Sequence, residues 1–195
     1  MYSLCTIFYN PQFGGNSLQK IVAFVALVAG TGTLLLAGGQ TGADPQQQAR
    51  LKRLFPSATA FSPKSGEPPH FTAYAAGARG AQTVLGYAFW TTEVVPLERA
   101  YGGPIAMLVG IDLKGVLTGL IVGEHHEPYG DFSIEPPQFA AQFRNKDVRD
   151  PFKLGVDIDA VSRATITMSG AVRAIRTASR RVARELLTPP EAGKP

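Results

Sequence analysis

The spacing of apolar and polar positions changes along the chain, and each change marks an element. Ile21 to Ala37 is an uninterrupted uncharged apolar run preceded by Lys20. It reads as the core of a secretory signal or as a short membrane anchor. Asp44-Pro45 then supplies an N-cap and a first helical residue for a short helix through Gln46–Leu54, stopped before Pro56. Between Ser57 and Gly80 apolar residues are scattered among Pro, Gly and Ser, which predicts loops and short strands. Gln82–Thr91 is rich in β-branched and aromatic residues and predicts a strand. Pro104–Ile111 and Val116–Val122 flank the polar turn Asp112-Leu113-Lys114-Gly115, the pattern of a β-hairpin. Gln138–Arg144 reads as a short helix after Pro136-Pro137. A longer helix is expected from about Thr167 to Leu187, ended by Pro189-Pro190. Its Met168, Val172, Ile175, Val182 and Leu186 recur at helical spacing, so one face should pack on a sheet. The expectation is an α+β fold: a single domain with an antiparallel sheet and packed helices, after the N-terminal signal or anchor segment. Residues 1–43 form that segment, 44–81 an N-terminal helix and loop region, 82–187 the main domain and 188–195 a tail.

Composition bounds this picture without naming a chemistry. The 195 residues are 45% hydrophobic and 17% charged, as in a folded domain. The net charge of +4 is unevenly spread. Asp44 to Ser162 carries 11 Lys/Arg against 13 Asp/Glu, whereas Arg163 to Leu187 carries six Arg and one Glu. A basic C-terminal segment suits phosphate, an acidic partner or lipid headgroups, and it is equally the solvated face of an ordinary helix. No motif that reads nucleic acid accompanies it, so no nucleic acid partner is expected. Cys5 is the only cysteine. Intramolecular disulfides, cysteine-ligated iron–sulfur clusters and c-type haem are thereby excluded. Neither a Gly-x-Gly-x-x-Gly nor a Walker motif precedes a suitable helix, and no Gly-x-Ser-x-Gly element is present.

The candidate chemistry lies where the long helix begins, in Asp159-Ala160-Val161-Ser162-Arg163-Ala164-Thr165-Ile166-Thr167. A helix N-terminus offers unpaired N–H groups and partial positive charge, an environment that favours phosphate. Arg163 and nearby arginines can add charge-assisted hydrogen bonds there. Ser and Thr ahead of a helix also serve as simple caps, and local sequence leaves both readings open. A second group, Glu124-His125-His126-Glu127-Pro128, follows the predicted hairpin. Carboxylates and imidazoles are common metal ligands. Neighbouring residues on a strand face opposite ways, however, and His70 is the one further histidine, so no metal is expected. Tyr87, Trp90 and Tyr101 can stack on an aromatic ring or simply fill a core.

The nonapeptide resembles the flavinylation motif of the FMN-binding domain family, in which a flavin transferase esterifies FMN onto the final threonine, here Thr165. The resemblance continues through Gly86-Tyr87-Ala88-Phe89, Val94-Val95-Pro96-Leu97, Ala100-Tyr101-Gly102-Gly103-Pro104-Ile105, Leu108-Val109-Gly110-Ile111-Asp112, Gly119 through Val122, and the Glu124–Pro128 group. In order and spacing these blocks are similar to the periplasmic flavin domain of regulators of nitrous oxide reductase expression. Related domains occur in organohalide-respiration membrane proteins and in subunits of Rnf and sodium-pumping quinone reductase complexes. The match covers roughly Gly86 to Leu187. Arg163 stands where the family most often has glycine, so a positive φ at that position would strain it.

This resemblance implies that 82–187 is an FMN-binding domain carrying FMN covalently on Thr165. Asp159, Ser162, Arg163, Ala164 and Thr167 would surround the attachment point, with Asp159 helping a transferase bind its metal. His126, Glu127 and Pro128 would belong to a loop lining the flavin. The implied role is an electron carrier, with membrane or periplasmic redox proteins as partners. The implied location is periplasmic, with attachment to the inner membrane through residues 21–37 as one arrangement. Two readings from other classes stay open: a flavin-free accessory or maturation protein that docks a partner through its basic C-terminal helix, and an enzyme with noncovalent FMN.

Overall fold

In a computed structural model, residues 44–77 and 80–187 are described. The apolar run at 21–37, read as a signal or anchor, and the tail at 188–195 lie outside the described residues. Among the described residues no helix is long and apolar enough to cross a membrane.

Five antiparallel strands form one sheet whose spatial order follows the chain: β1 (Ala60–Phe61), β2 (Phe71–Ala76), β3 (Gln82–Trp90), β4 (Met107–Asp112) and β5 (Leu117–Val122). β4 lies between β3 and β5, and its Met-Leu-Val-Gly-Ile stretch is buried throughout rather than alternating with polar residues. Both faces of that strand are covered, which explains the continuous apolar run. Leu108 faces a small cluster with Leu51, Leu54, Phe55, Ala73 and Ala88, covered by α1 (Pro45–Leu54). Met107, Val109 and Ile111 face the larger core with Phe89, Leu117, Met168, Val172 and Ile175, covered by α5 (Thr165–Val182).

The α+β expectation therefore holds, and most elements fall where the apolar pattern places them. Asp44 caps α1 by accepting from the Gln46 amide at 3.0 Å. The β4–β5 turn is fixed by the Asp112 side chain, which accepts from the Lys114 and Val116 amides at 2.8 and 2.9 Å. The expected strand at 104–111 begins later, at Met107. β3 ends at Trp90 because Thr91 opens a single helical turn, α2 (Thr91–Val94). The buried Thr91 hydroxyl donates to the Ile105 carbonyl and accepts from the Met107 amide, tying that turn to the start of β4. Two further short helices precede α5: α3 (Gly130–Ser133), absent from the sequence expectation, and α4 (Pro137–Ala141), at the expected place.

The long helix needs a correction. It starts two residues earlier than expected, at Thr165, and after Val182 it continues as a π-helical turn over Ala183–Leu187. Met168, Val172, Ile175 and Val182 are buried as their spacing predicts, and Leu186 packs partly against the same core. The basic face is largely used within the domain. Arg173 pairs with Glu98 at 2.6 Å and donates to the Arg99 carbonyl. Arg180 donates to the carbonyls of Val148 and Asp150. Arg181 donates to the Val94 carbonyl and pairs with Glu67.

Candidate functional site

The start of α5 meets two loops, and the three segments hold one another in place. The loop at 98–103 lies against the helix because Gly170 lacks a side chain: a Cβ on it would come within 2.4 Å of the Ala100 Cβ. Arg173 clamps the same loop through Glu98 and Arg99. The loop at 124–130 lies against 100–103 for a similar reason, since a Cβ on Gly102 would sit 2.0 Å from the His126 carbonyl oxygen. Only glycine permits that approach at residue 102.

Glu127 joins all three segments. It is 7% exposed. One carboxylate oxygen accepts from the Gly102 amide at 2.7 Å and the other from the Thr167 hydroxyl at 2.5 Å. A buried carboxylate needs such donors to offset its lost hydration. The Glu127 amide in turn donates to His125 Nδ1 at 3.2 Å, which places the imidazole proton on Nε2, 3.3 Å from Glu135. Glu127 and Thr167 are therefore supports inside the domain.

The residues left facing outward are different. Thr165 is exposed at the first position of α5, and its hydroxyl has no hydrogen-bond partner among the described residues. The N-cap is Ala164, which has no side chain able to cap, so neither Ser162 nor Thr165 performs the capping that sequence left open. Residues 163–167 line a shallow cleft of about 260 Å³ together with Tyr101 and Tyr129. Around it Tyr101 is 63% and Ile166 61% exposed. The positive end of a helix, an unengaged hydroxyl and two aromatic walls thus converge on one small opening.

The other expected residues are placed as follows. Ser162 and Asp159 are exposed beside the helix start, and the Asp159 amide donates to Gln142 Oε1 at 2.7 Å. Ala164 is buried. Arg163 has φ 71°, the left-handed conformation in which glycine is free of strain and arginine is not. It is the arginine at the cleft. Arg173 lies eight residues further along than Thr165, roughly 12 Å by the rise of a helix, so the arginine-rich face does not gather around Thr165. His126 and Pro128 are exposed, whereas His125 is the anchored imidazole. These residues follow β5 in irregular backbone, so strand alternation does not govern them. Among the described residues no group of three or more His, Cys, Asp or Glu side chains is arranged to hold a metal ion. Of the aromatics considered, Tyr101 is at the cleft. Tyr87 meets His70 edge-on, and Trp90 lies under the Arg50 guanidinium. Sequence reasoning missed Tyr129, although it directly follows the Glu124–Pro128 group.

Residues 100–180 match the FMN-binding domain model. Among curated relatives, the chain is 27% identical to the regulatory protein NosR of Pseudomonas aeruginosa over 167 residues, 80% of this chain and 22% of the relative. It is 31% identical to the regulatory protein NosR of Stutzerimonas stutzeri over 150 residues, 72% of this chain and 20% of the relative. The chain thus spans about a fifth of the length of these two proteins. It is also 27% identical to one component of an ion-translocating oxidoreductase complex of Methanosarcina acetivorans, covering 84% of this chain and 93% of that component.

Proposed function

We propose that this chain carries FMN esterified through its phosphate to the Thr165 hydroxyl and relays electrons between redox proteins outside the cytoplasm, at or near the inner membrane. The observation that carries the proposal is the state of Thr165. It is the exposed, unengaged hydroxyl on an uncapped helix N-terminus, in the segment that matches the FMN-binding family. The residues present fit the group. The first-turn amides and Arg163 suit a phosphodiester, while Tyr101 and Tyr129 offer walls for a flat ring. Thr165 would supply the ester oxygen and give up its proton as a flavin transferase breaks the pyrophosphate bond of a flavin dinucleotide donor, so that the nucleoside monophosphate leaves; Asp159, Ser162 and Thr165 are exposed to such an enzyme. The flavin supplies the redox chemistry when bound, and the protein orients it and sets its surroundings. The relatives' names place NosR among regulatory proteins and the Methanosarcina relative within an oxidoreductase complex, which supports redox partners here. Location outside the cytoplasm rests on the apolar run at 21–37.

The flavin-free accessory reading needs the basic face of α5 free for a partner. Arg173, Arg180 and Arg181 are instead engaged within the domain, which favours the carrier.

Co-expression with a flavin transferase, denaturation and in-gel flavin fluorescence test the proposal. The expected result is fluorescence in the wild type and in Ser162→Ala but none in Thr165→Val. An unlabelled wild type beside an active transferase would overturn covalent attachment. Flavin released by denaturation would point to the noncovalent enzyme.

A further inference from the structure

A second cleft is larger than the one at Thr165. It has a volume of about 630 Å³ and runs beside β5, between the last turn of α1 and the segment from α4 to Arg144. Its floor is Gly119 through Gly123, and Arg53 and Arg144 stand over it.

β5 is an edge strand. At its start the outer side is already occupied: Leu117 donates to the Lys146 carbonyl and accepts from the Asn145 amide, and Val116 bridges to Asp147. Beyond Leu117, no hydrogen bond links the backbone of β5 to a segment on its outer side among the described residues. The chain's own segment at 145–147 therefore begins to extend the sheet and then turns away. The edge left without a backbone partner continues along the cleft from Gly119 to Val122, buried at Gly119 and Leu120 and half-buried at Ile121 and Val122. An unpaired strand edge presents alternating donors and acceptors that an extended backbone satisfies and a compact small molecule does not. Proteins ordinarily blunt such edges with proline, a buried charge or a covering element, and Gly119-Leu120-Ile121-Val122 contains no proline or charge.

The charges above the edge select the occupant. Arg53 and Arg144 are without a hydrogen bond or ion pair among the described residues, and Arg144 is exposed. Glu135, the acidic residue in the cleft wall, already faces His125 Nε2 at 3.3 Å. The unengaged charge in the cleft is therefore positive.

We infer that this cleft docks an extended acidic peptide segment of a partner protein, added as a further strand on the outer edge of β5, with its carboxylates on Arg53 and Arg144. Main-chain hydrogen bonds provide the attachment and the arginines provide the sign preference. The proposal does not depend on flavin at Thr165, which lines a separate cleft.

The test uses the isotope-labelled full chain, amide NMR, and three synthetic peptides. One is a seven-residue peptide of alternating valine and glutamate. The second replaces glutamate with lysine, and the third is the acidic peptide N-methylated at alternate amides. The acidic peptide is expected to shift the Gly119–Gly123 amides and slow their exchange, while the lysine peptide does not. Arg53→Glu/Arg144→Glu should bind about tenfold or more weakly, since it turns two attractive charge pairs into repulsive ones. Both positions lack partners, so the variant's unchanged amide spectrum elsewhere confirms the fold. Three results would each overturn the proposal. These are no shifts at millimolar acidic peptide, equal binding of the N-methylated peptide (a plain anion patch), and Gly119–Gly123 amides already protected in the free chain (an edge covered from within).

Discussion

Glu127 accepts the Thr167 hydroxyl at 2.5 Å across 40 residues of sequence, and this bond separates two threonines that look alike in the primary structure. Thr167 is turned inward and engaged, whereas Thr165, half a turn earlier, is turned outward and unengaged. Replacing Glu127 with alanine strands the Thr167 hydroxyl and the Gly102 amide in a buried place. The expected loss is about 2–3 kcal/mol of stability, read by urea unfolding. Glu127→Gln keeps one acceptor for Gly102 and should lose less. Equal stability of Glu127→Ala and wild type would refute the clamp.

Arg163 occupies a left-handed backbone position, and Arg163→Gly should relieve it. The expected gain is roughly 1 kcal/mol in thermal or urea unfolding, less the entropy that glycine adds to the unfolded chain. If the guanidinium also holds the flavin phosphate, the same variant should change the rate of flavin attachment. Stability and loading are then measured on one protein and need not move together.

Tyr101 and Tyr129 are exposed walls of the Thr165 cleft, so their truncation should barely touch stability. Each alanine variant is expected to stay within about 0.5 kcal/mol of wild type. In flavin-loaded protein, the flavin absorbance or its midpoint potential should shift. A fall in stability with an unchanged flavin spectrum would mean that these side chains hold the loops together and do not face the cofactor.

Asp157 gives a pH signature away from the cleft. Burial opposes its charged form, but donation from the Lys153 amide, Lys146 Nζ and the Phe152 amide outweighs this and holds its carboxyl below the usual range. A carboxyl with a depressed folded pKa stabilises the fold above its unfolded value, about 4, and loses that contribution as pH falls through the folded value. Asp157→Asn should therefore be less stable than wild type at pH 7, by about 1–2 kcal/mol. The gap should begin to narrow below about pH 4 and close as pH falls through the folded value. Unfolding curves followed downward from pH 7 check it, and a gap that does not narrow with falling pH would assign the loss to packing.

How much of this was readable beforehand depends on the range of the forces involved. β4 and β5, the Asp112 turn and the buried face of α5 follow from local periodicity and turn chemistry, and they stand close to where those place them. The start of α5 was displaced because Thr165 looks like a residue ahead of the helix, whereas the observed N-cap is Ala164 and no side chain caps the first turn. The single turns α2 and α3 are too short for any periodicity to show. At the candidate site, the motif around Thr165 was visible, but its partner was not. Nothing local indicates that Glu127 would reach Gly102 and Thr167, or that His125 rather than His126 would be anchored. Tyr129 reaches the cleft through the same fold-back of the 124–130 loop.

The sheet's spatial order follows the order of synthesis, and the helix that seals one of its faces comes after every strand. Until α5 has left the ribosome, Phe89, Val109 and Ile111 lack the cover they have in the finished domain. The proposed acceptor threonine lies on that closing element. A modifying enzyme that recognises the folded α5 start would thereby act only on domains whose sheet face α5 has already sealed.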